Sequence, residues 1–239
     1  MRTIALLLLL VLPVTANSPM QFAPFMRTSV AGGGGGGADL TENFEGAGYE
    51  NSWTESFGTP VEDQDTTGLS LEASECLWLA SSSVATETYV NFTASDNAYV
   101  YCMFRIEDLP SAADRSVFKF STAGSDDVAI TLNTAPTAFK AWSAGEDQND
   151  LGGSSLSADT TYHVWFEYQK GTGANATIRL FFATTGTKPG TAECEITTAD
   201  DTHQVSRLHI GVDWAGSGAN FYVDKLRLSR TTAFGSDPS

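Results

Sequence analysis

From Leu40 to Ser229 apolar and polar residues alternate with a period of two, in short runs separated by turn residues. That period belongs to a β-strand, whose successive side chains point to opposite faces; an amphipathic helix needs its apolar positions about 3.6 residues apart. Clear runs cover Cys76–Ala80, Tyr89–Thr93, Tyr99–Ile106, Val117–Ser121 and Val128–Leu132. Others cover Ala138–Trp142, Tyr162–Gln169, Thr177–Ala183, Arg207–Val212 and Phe221–Ser229. In the run from Tyr162, the side chains of Tyr162, Val164, Phe166 and Tyr168 share one face, and His163, Trp165 and Glu167 the other. In the next run Ile178, Leu180 and Phe182 oppose Arg179. Apolar faces of this kind fill a core when two sheets stack about 10 Å apart. The connections, such as Gly145–Asp150, Gly171–Asn175, Gly186–Gly190 and Gly216–Asn220, are rich in turn formers. Gly171–Asn175 lies between two alternating runs and reads as a hairpin turn. Glu62-Asp63-Gln64-Asp65 reads as a solvated loop. No segment carries a long amphipathic helix pattern. The expected fold is all-β: an antiparallel two-sheet jelly-roll sandwich of about ten to fourteen strands, favoured over a barrel.

The residues before Leu40 have a different character. Met1-Arg2 gives a positive start, Ile4 to Leu12 is unbroken apolar sequence, and Val14-Thr15-Ala16 supplies small residues for cleavage, so residues 1–16 read as a signal peptide. The apolar run is too short for a bilayer span, which takes about 20 residues. Residues 17–38 include six consecutive glycines, Gly32 to Gly37, and read as a flexible arm with a tether. Residues 39–230 are assigned to the sandwich and 231–239 to a disordered tail. A secreted or extracellular location follows, with attachment to a virion or particle surface through the arm as the alternative.

The chain carries 29 acidic and 13 basic residues, a net charge of −16. That balance repels nucleic-acid phosphates, so no nucleic-acid partner is expected. No membrane insertion of the mature chain is expected either. Three cysteines, Cys76, Cys102 and Cys194, are too few for a disulfide scaffold or a zinc site. Either Cys76 and Cys102 are bridged or all three are buried thiols. In the last run, alternation places Tyr222, Asp224, Leu226 and Leu228 on one face, a carboxylate among apolar neighbours that needs a cation or several donors.

Three segments together carry a family likeness. They are Asn43-Phe44-Glu45-Gly46 with Trp53 and Gly68–Leu71, then Thr161–Tyr168 with Ile178–Phe181, and finally Phe221–Ser229. The chain resembles the concanavalin A-like lectin/glucanase superfamily, notably laminin-G-like domains and jelly-roll carbohydrate-binding modules, over about residues 40–230. The resemblance implies a structural calcium shared by an acid of the opening strand and an aspartate of the closing strand, here Glu45 and Asp224. Calcium takes six to eight oxygen ligands, which backbone carbonyls and water supplement.

Catalytic patterns are sparse. Glu193 and Glu195 alternate without the third acid of the family's glycosidases, and His163, Trp165 and Tyr168 echo its polysaccharide lyases only in part. His163, His203 and His209 have no metal-ligand spacing, and no local pattern marks a serine triad or a cysteine nucleophile. Aromatic side chains suit glycan stacking better. Trp142 and Trp165 each oppose the apolar face of their run, and Trp214 precedes a glycine-rich loop. The expected function is that of a non-catalytic module binding glycan or a cell-surface protein, calcium-stabilised. A particle appendage is one alternative, and a glycoside hydrolase or polysaccharide lyase on the same fold is the other.

Overall fold

A computed structural model describes residues 38–45, 49–65, 71, 75–80, 85–109, 115–122, 125–134, 137–143, 148–199, 202–212 and 220–238. Residues 1–16, read as a signal peptide, residues 17–37 of the expected arm, and Trp214 lie outside the described residues. Fifteen strands and no helix occur among those described. The first sheet runs in the order β13 (Cys194–Ala199), β12 (Ala176–Ala183), β11 (Thr160–Gln169), β6 (Asn97–Asp108), β15 (Asn220–Ser229), β4 (Glu75–Ala80) and β3 (Val61–Asp65). Strand β1 (Leu40–Glu42) also pairs with β15, making eight strands. The second sheet has seven, in the order β10 (Gln148–Leu151), β9 (Thr137–Ser143), β8 (Ser125–Thr134), β7 (Arg115–Thr122), β14 (Val205–Val212), β5 (Thr86–Ser95) and β2 (Trp53–Phe57). Every pairing is antiparallel. This is the jelly-roll sandwich that the alternation implied.

The core lies between the sheets and is closed by aromatic rings from both. Phe120 of β7 stacks on Phe166 of β11 at 4.5 Å, and Phe104 of β6 meets Phe118 of β7 at 5.6 Å. Tyr162, Val164, Phe166 and Tyr168 all face inward, as their spacing required. Each fully buried Phe contributes about 2 to 3 kcal/mol of transfer free energy.

Several expectations are corrected. The strand count exceeds ten to fourteen because short edge strands carry too little sequence to show a period. Val61–Asp65 is such a strand, not a loop, and an acidic stretch suits an edge because it discourages pairing with another chain. Of the two cysteine readings the second holds: Cys76, Cys102 and Cys194 are buried thiols with no disulfide among them. Cys76 on β4 and Cys102 on β6 flank β15, two strand spacings apart, or roughly 9.5 Å; a bridge needs Cα atoms within about 7 Å. The closing strand does not alternate throughout. Lys225 adopts a left-handed φ of 49° where the register of β15 on β6 shifts. This bulge reverses the parity, so Phe221 and Val223 face the core before it and Leu226 and Leu228 after it. Tyr222 and Asp224 therefore belong to the opposite face from Leu226 and Leu228.

The tail is also placed. Phe234 packs with Tyr99, Tyr101, Trp165 and Phe181 on the outer face of the eight-stranded sheet. Trp165 Nε1 donates to the Gly235 carbonyl at 2.7 Å, the Asp237 amide donates to the Gly186 carbonyl at 2.5 Å, and Lys225 Nζ pairs with Asp237 at 3.0 Å. No helix among the described residues is long and apolar enough to cross a membrane.

Candidate functional site

The outer face of the seven-stranded sheet holds a row of side chains in register across five strands. Trp142 of β9 pairs with Ala129 of β8, Ala129 with Lys119 of β7, Lys119 with His209 of β14, and His209 with Tyr89 of β5. Each opposes core residues of its own strand: Phe118 and Phe120 flank Lys119, and Leu208 and Ile210 flank His209. Alternation therefore turns the whole row outward. A second row beside it holds Ser121, Arg207 and Asn91, in register on β7, β14 and β5.

Hydrogen bonds join the rows. His209 Nε2 lies 2.9 Å from Ser121 Oγ, and His209 Nδ1 lies 2.9 Å from Glu87 Oε1. Lys119 Nζ lies 2.6 Å from the other Glu87 oxygen, Oε2. Glu87 is 1% exposed, Ser121 2%, Lys119 4% and His209 8%, so the four form a shielded chain with its imidazole nearest to solvent. Burial pushes the Glu87 carboxyl up, but hydrogen bonding from His209 and the Lys119 charge outweigh it, and the group is held below the ordinary glutamate value. An ionised carboxylate only accepts, so Nδ1 carries the proton that faces Glu87, and in the tautomer protonated there alone Nε2 accepts from the Ser121 hydroxyl. Tyr89 closes one flank, its ring 5.1 Å from the imidazole. The Arg207 guanidinium lies 4.9 Å over that ring and donates to Asn91 Oδ1 at 2.9 Å. Trp142, partly exposed, closes the other end of the row.

The tryptophans expected to bind ligand have separate fates. Trp142 belongs to the row. Trp165 lies on the other sheet at 1% exposure beneath the tail, so it offers no ring face to a ligand. The correction has a physical cause: the tail that the sequence suggested was disordered supplies Phe234 and the Gly235 carbonyl to cover that indole.

The acids differ too. Glu45 Oε1 accepts from the Glu75 amide at 3.0 Å, and Asp224, 1% exposed, accepts from the Lys225 amide at 2.6 Å. Among the described residues no cluster of three or more His, Cys, Asp or Glu side chains is spaced to hold a metal ion. The buried carboxylate of the opening strand is Glu42, which accepts from the Glu50 and Asn51 amides, Asn51 Nδ2 and Trp53 Nε1 at 2.7–3.0 Å.

Remaining candidates serve structure. Glu193 accepts from the Ser154 amide and hydroxyl, Glu195 pairs with Arg179, and Tyr168 donates from inside the core to the His203 carbonyl. His163 is hydrogen-bonded to Tyr101 on the eight-stranded sheet at 2.8 Å, so it and His209 lie on different sheets.

No protein-family model and no curated protein matches the sequence. Solved structures do. The chain is similar to an endo-β-1,4-glucuronan lyase from the fungus Trichoderma reesei, with 11% identity, a TM-score of 0.54, and coverage of 84% of this chain and 99% of that one. It is similar to the cellulose-induced protein Cip1, with 14% identity, a TM-score of 0.54, and coverage of 82% and 99%. It is also similar to the receptor binding domain of botulinum neurotoxin mosaic serotype C/D, with 12% identity, a TM-score of 0.53, and coverage of 84% of this chain but 48% of that one. At such identities the likeness is one of fold. It places the chain in the jelly-roll class, whose members here include a sugar-active lyase and a receptor-binding toxin domain.

Proposed function

We propose that the protein binds a polysaccharide laid across the strands of the seven-stranded sheet, along the row from Trp142 to Tyr89. The observation that carries this reading is the register itself. It spaces two partly exposed aromatic rings four strands apart, roughly 19 Å, with the buried Ala129, Lys119 and His209 as the floor between them. Sugar rings stack their C–H faces on such aromatics while hydroxyls or carboxylates meet polar groups at the rim of the row. Arg207 and Lys140 stand beside the row on the same face and favour a ligand rich in oxygen acceptors. The likeness to a glucuronan lyase and to a toxin receptor-binding domain supports a glycan as ligand.

The test is a glycan array probed with the wild type, Trp142→Ala and Tyr89→Ala. Each substitution is expected to weaken binding about tenfold, which corresponds to about 1.4 kcal/mol. Unchanged binding in both variants, or no glycan bound by the wild type, overturns the reading. Two finer proposals stand beside it. The chain is exported with residues 1–16 removed, which amino-terminal sequencing of the product checks. Calcium holds Glu45 and Asp224, a proposal supported by the burial of Asp224 on the closing strand; it requires that chelation lower the melting temperature.

A further inference from the structure

We infer that Ser121 is an activated nucleophile and that this face of the sheet cleaves small acyl esters carried by the bound glycan. The alcohol half of that substrate rests on the recognition reading above; the nucleophile does not.

The geometry is that of a hydroxyl, an imidazole and a carboxylate in series, with Ser121 Oγ to His209 Nε2 at 2.9 Å and His209 Nδ1 to Glu87 Oε1 at 2.9 Å. Acyl-transfer triads are recognised by this order of contacts, whatever the fold that presents them. A network serving only stability has no need of it here. The four residues point away from the core, where alternation puts any polar side chain in contact with water at no cost. Instead, a carboxylate and an ammonium are held at 1% and 4% exposure, an arrangement whose desolvation its mutual attraction barely offsets. Lys119 on Oε2 keeps Glu87 charged and leaves Oε1 to orient the imidazole. A second imidazole contact, the part-buried pair of Tyr101 with His163, presents no serine and lies on the face that the tail covers.

In the reaction, Ser121 Oγ attacks the ester carbonyl carbon as its proton passes to His209 Nε2. The tetrahedral intermediate collapses, the bond from carbonyl carbon to alkoxy oxygen breaks, and His209 returns the proton to the departing alcohol. Water then attacks the acyl-serine by the same route and releases the carboxylic acid, restoring the hydroxyl. Ser121 and His209 are the catalytic residues and Glu87 positions the ring. Ser121 is 2% exposed, so the inferred substrate carries a short acyl group, such as the acetyl of an O-acetylated polysaccharide.

The experiment treats the full-length folded chain with a fluorophosphonate probe and maps the adduct by peptide mass, alongside hydrolysis of p-nitrophenyl acetate. Labelling is expected at Ser121, absent in Ser121→Ala, and slowed at least about a hundredfold in His209→Ala and in His209→Gln. Both histidine variants are checked for fold by circular dichroism, and wild-type labelling is decisive if neither folds. Glu87→Gln is expected to lower kcat for the ester with KM unchanged, and Glu87→Asp to restore part of the loss. Labelling no faster than in heat-unfolded chain, or equally fast in a folded His209 variant, overturns the inference. Labelling without any glycan bound on the array removes the recognition reading alone; glycan binding without labelling removes the nucleophile alone.

Discussion

Glu87 and Lys119 are the residues whose energetics are least forgiving. Their side chains are 2% and 5% exposed and 2.6 Å apart, so neither charge has water to compensate for the loss of the other. Removing one partner of such a pair costs about 3 kcal/mol, and Glu87→Gln is expected to lower unfolding free energy by about that amount in urea titrations at neutral pH. Acid should act on the same group. A carboxyl held below its ordinary value of 4.5 binds fewer protons folded than unfolded. Its contribution is therefore complete above that value and is lost as pH falls through the folded one. Melting curves below about pH 5 should fall less steeply for Glu87→Gln than for the wild type; equal slopes would mean that Glu87 is not held down. How the chain assembles was the illegible part. Alternation marked the runs Val117–Ser121 and Arg207–Val212 and set Trp142 opposite an apolar face, but it singled out neither Ser121 nor His209 and does not tell which strands are neighbours. Ser121 and His209 are 88 residues apart and Glu87 and His209 are 122 apart, separations that only the order β7-β14-β5 closes.

Among the elements, β14 and β15 depend on single backbone positions. Gly211 on β14 has a φ of 130°, and a Cβ there would sit 2.2 Å from the Thr86 carbonyl oxygen and 2.6 Å from Glu87 Cα. Only glycine allows β5 to approach that closely, and the approach sets Glu87 beside His209. Gly211→Ala is expected to cost about 3 kcal/mol or more, seen as a lower denaturation midpoint, and to slow any reaction at Ser121. Lys225 on β15 is the extra residue of a bulge. Deleting it would force a single parity on the strand and turn either Phe221 and Val223 or Leu226 and Leu228 away from the core. The deletion should give insoluble protein, whereas Lys225→Gly, which suits a left-handed φ, should remain folded. The long strands were legible because their periods are sustained. The bulge was not, because a charged residue between Asp224 and Leu226 breaks no hydrophobic pattern when read alone.

At the scale of the whole molecule, the two outer faces differ in cover, because the carboxy-terminal tail packs on one of them. Residues 231–238 cross the eight-stranded sheet, seating Phe234 at 6% exposure among Tyr99, Tyr101, Trp165 and Phe181. Lys188 ties the tail down by donating to the Phe234 carbonyl at 3.1 Å and pairing with Glu167. The seven-stranded sheet is left with its row of aromatic and ionisable groups. Phe234→Ala should therefore lower stability by about 2 kcal/mol through lost apolar burial. Removing residues 231–239 should cost more and uncover the indole of Trp165, whose fluorescence should shift to longer wavelength as an apolar dye binds the bared rings. Glycan binding along the row from Trp142 to Tyr89 should survive the truncation, because no residue of the tail reaches that sheet in the contacts described. A truncated chain that folds but loses its glycan would place the ligand on the eight-stranded side, with the tail as part of its site.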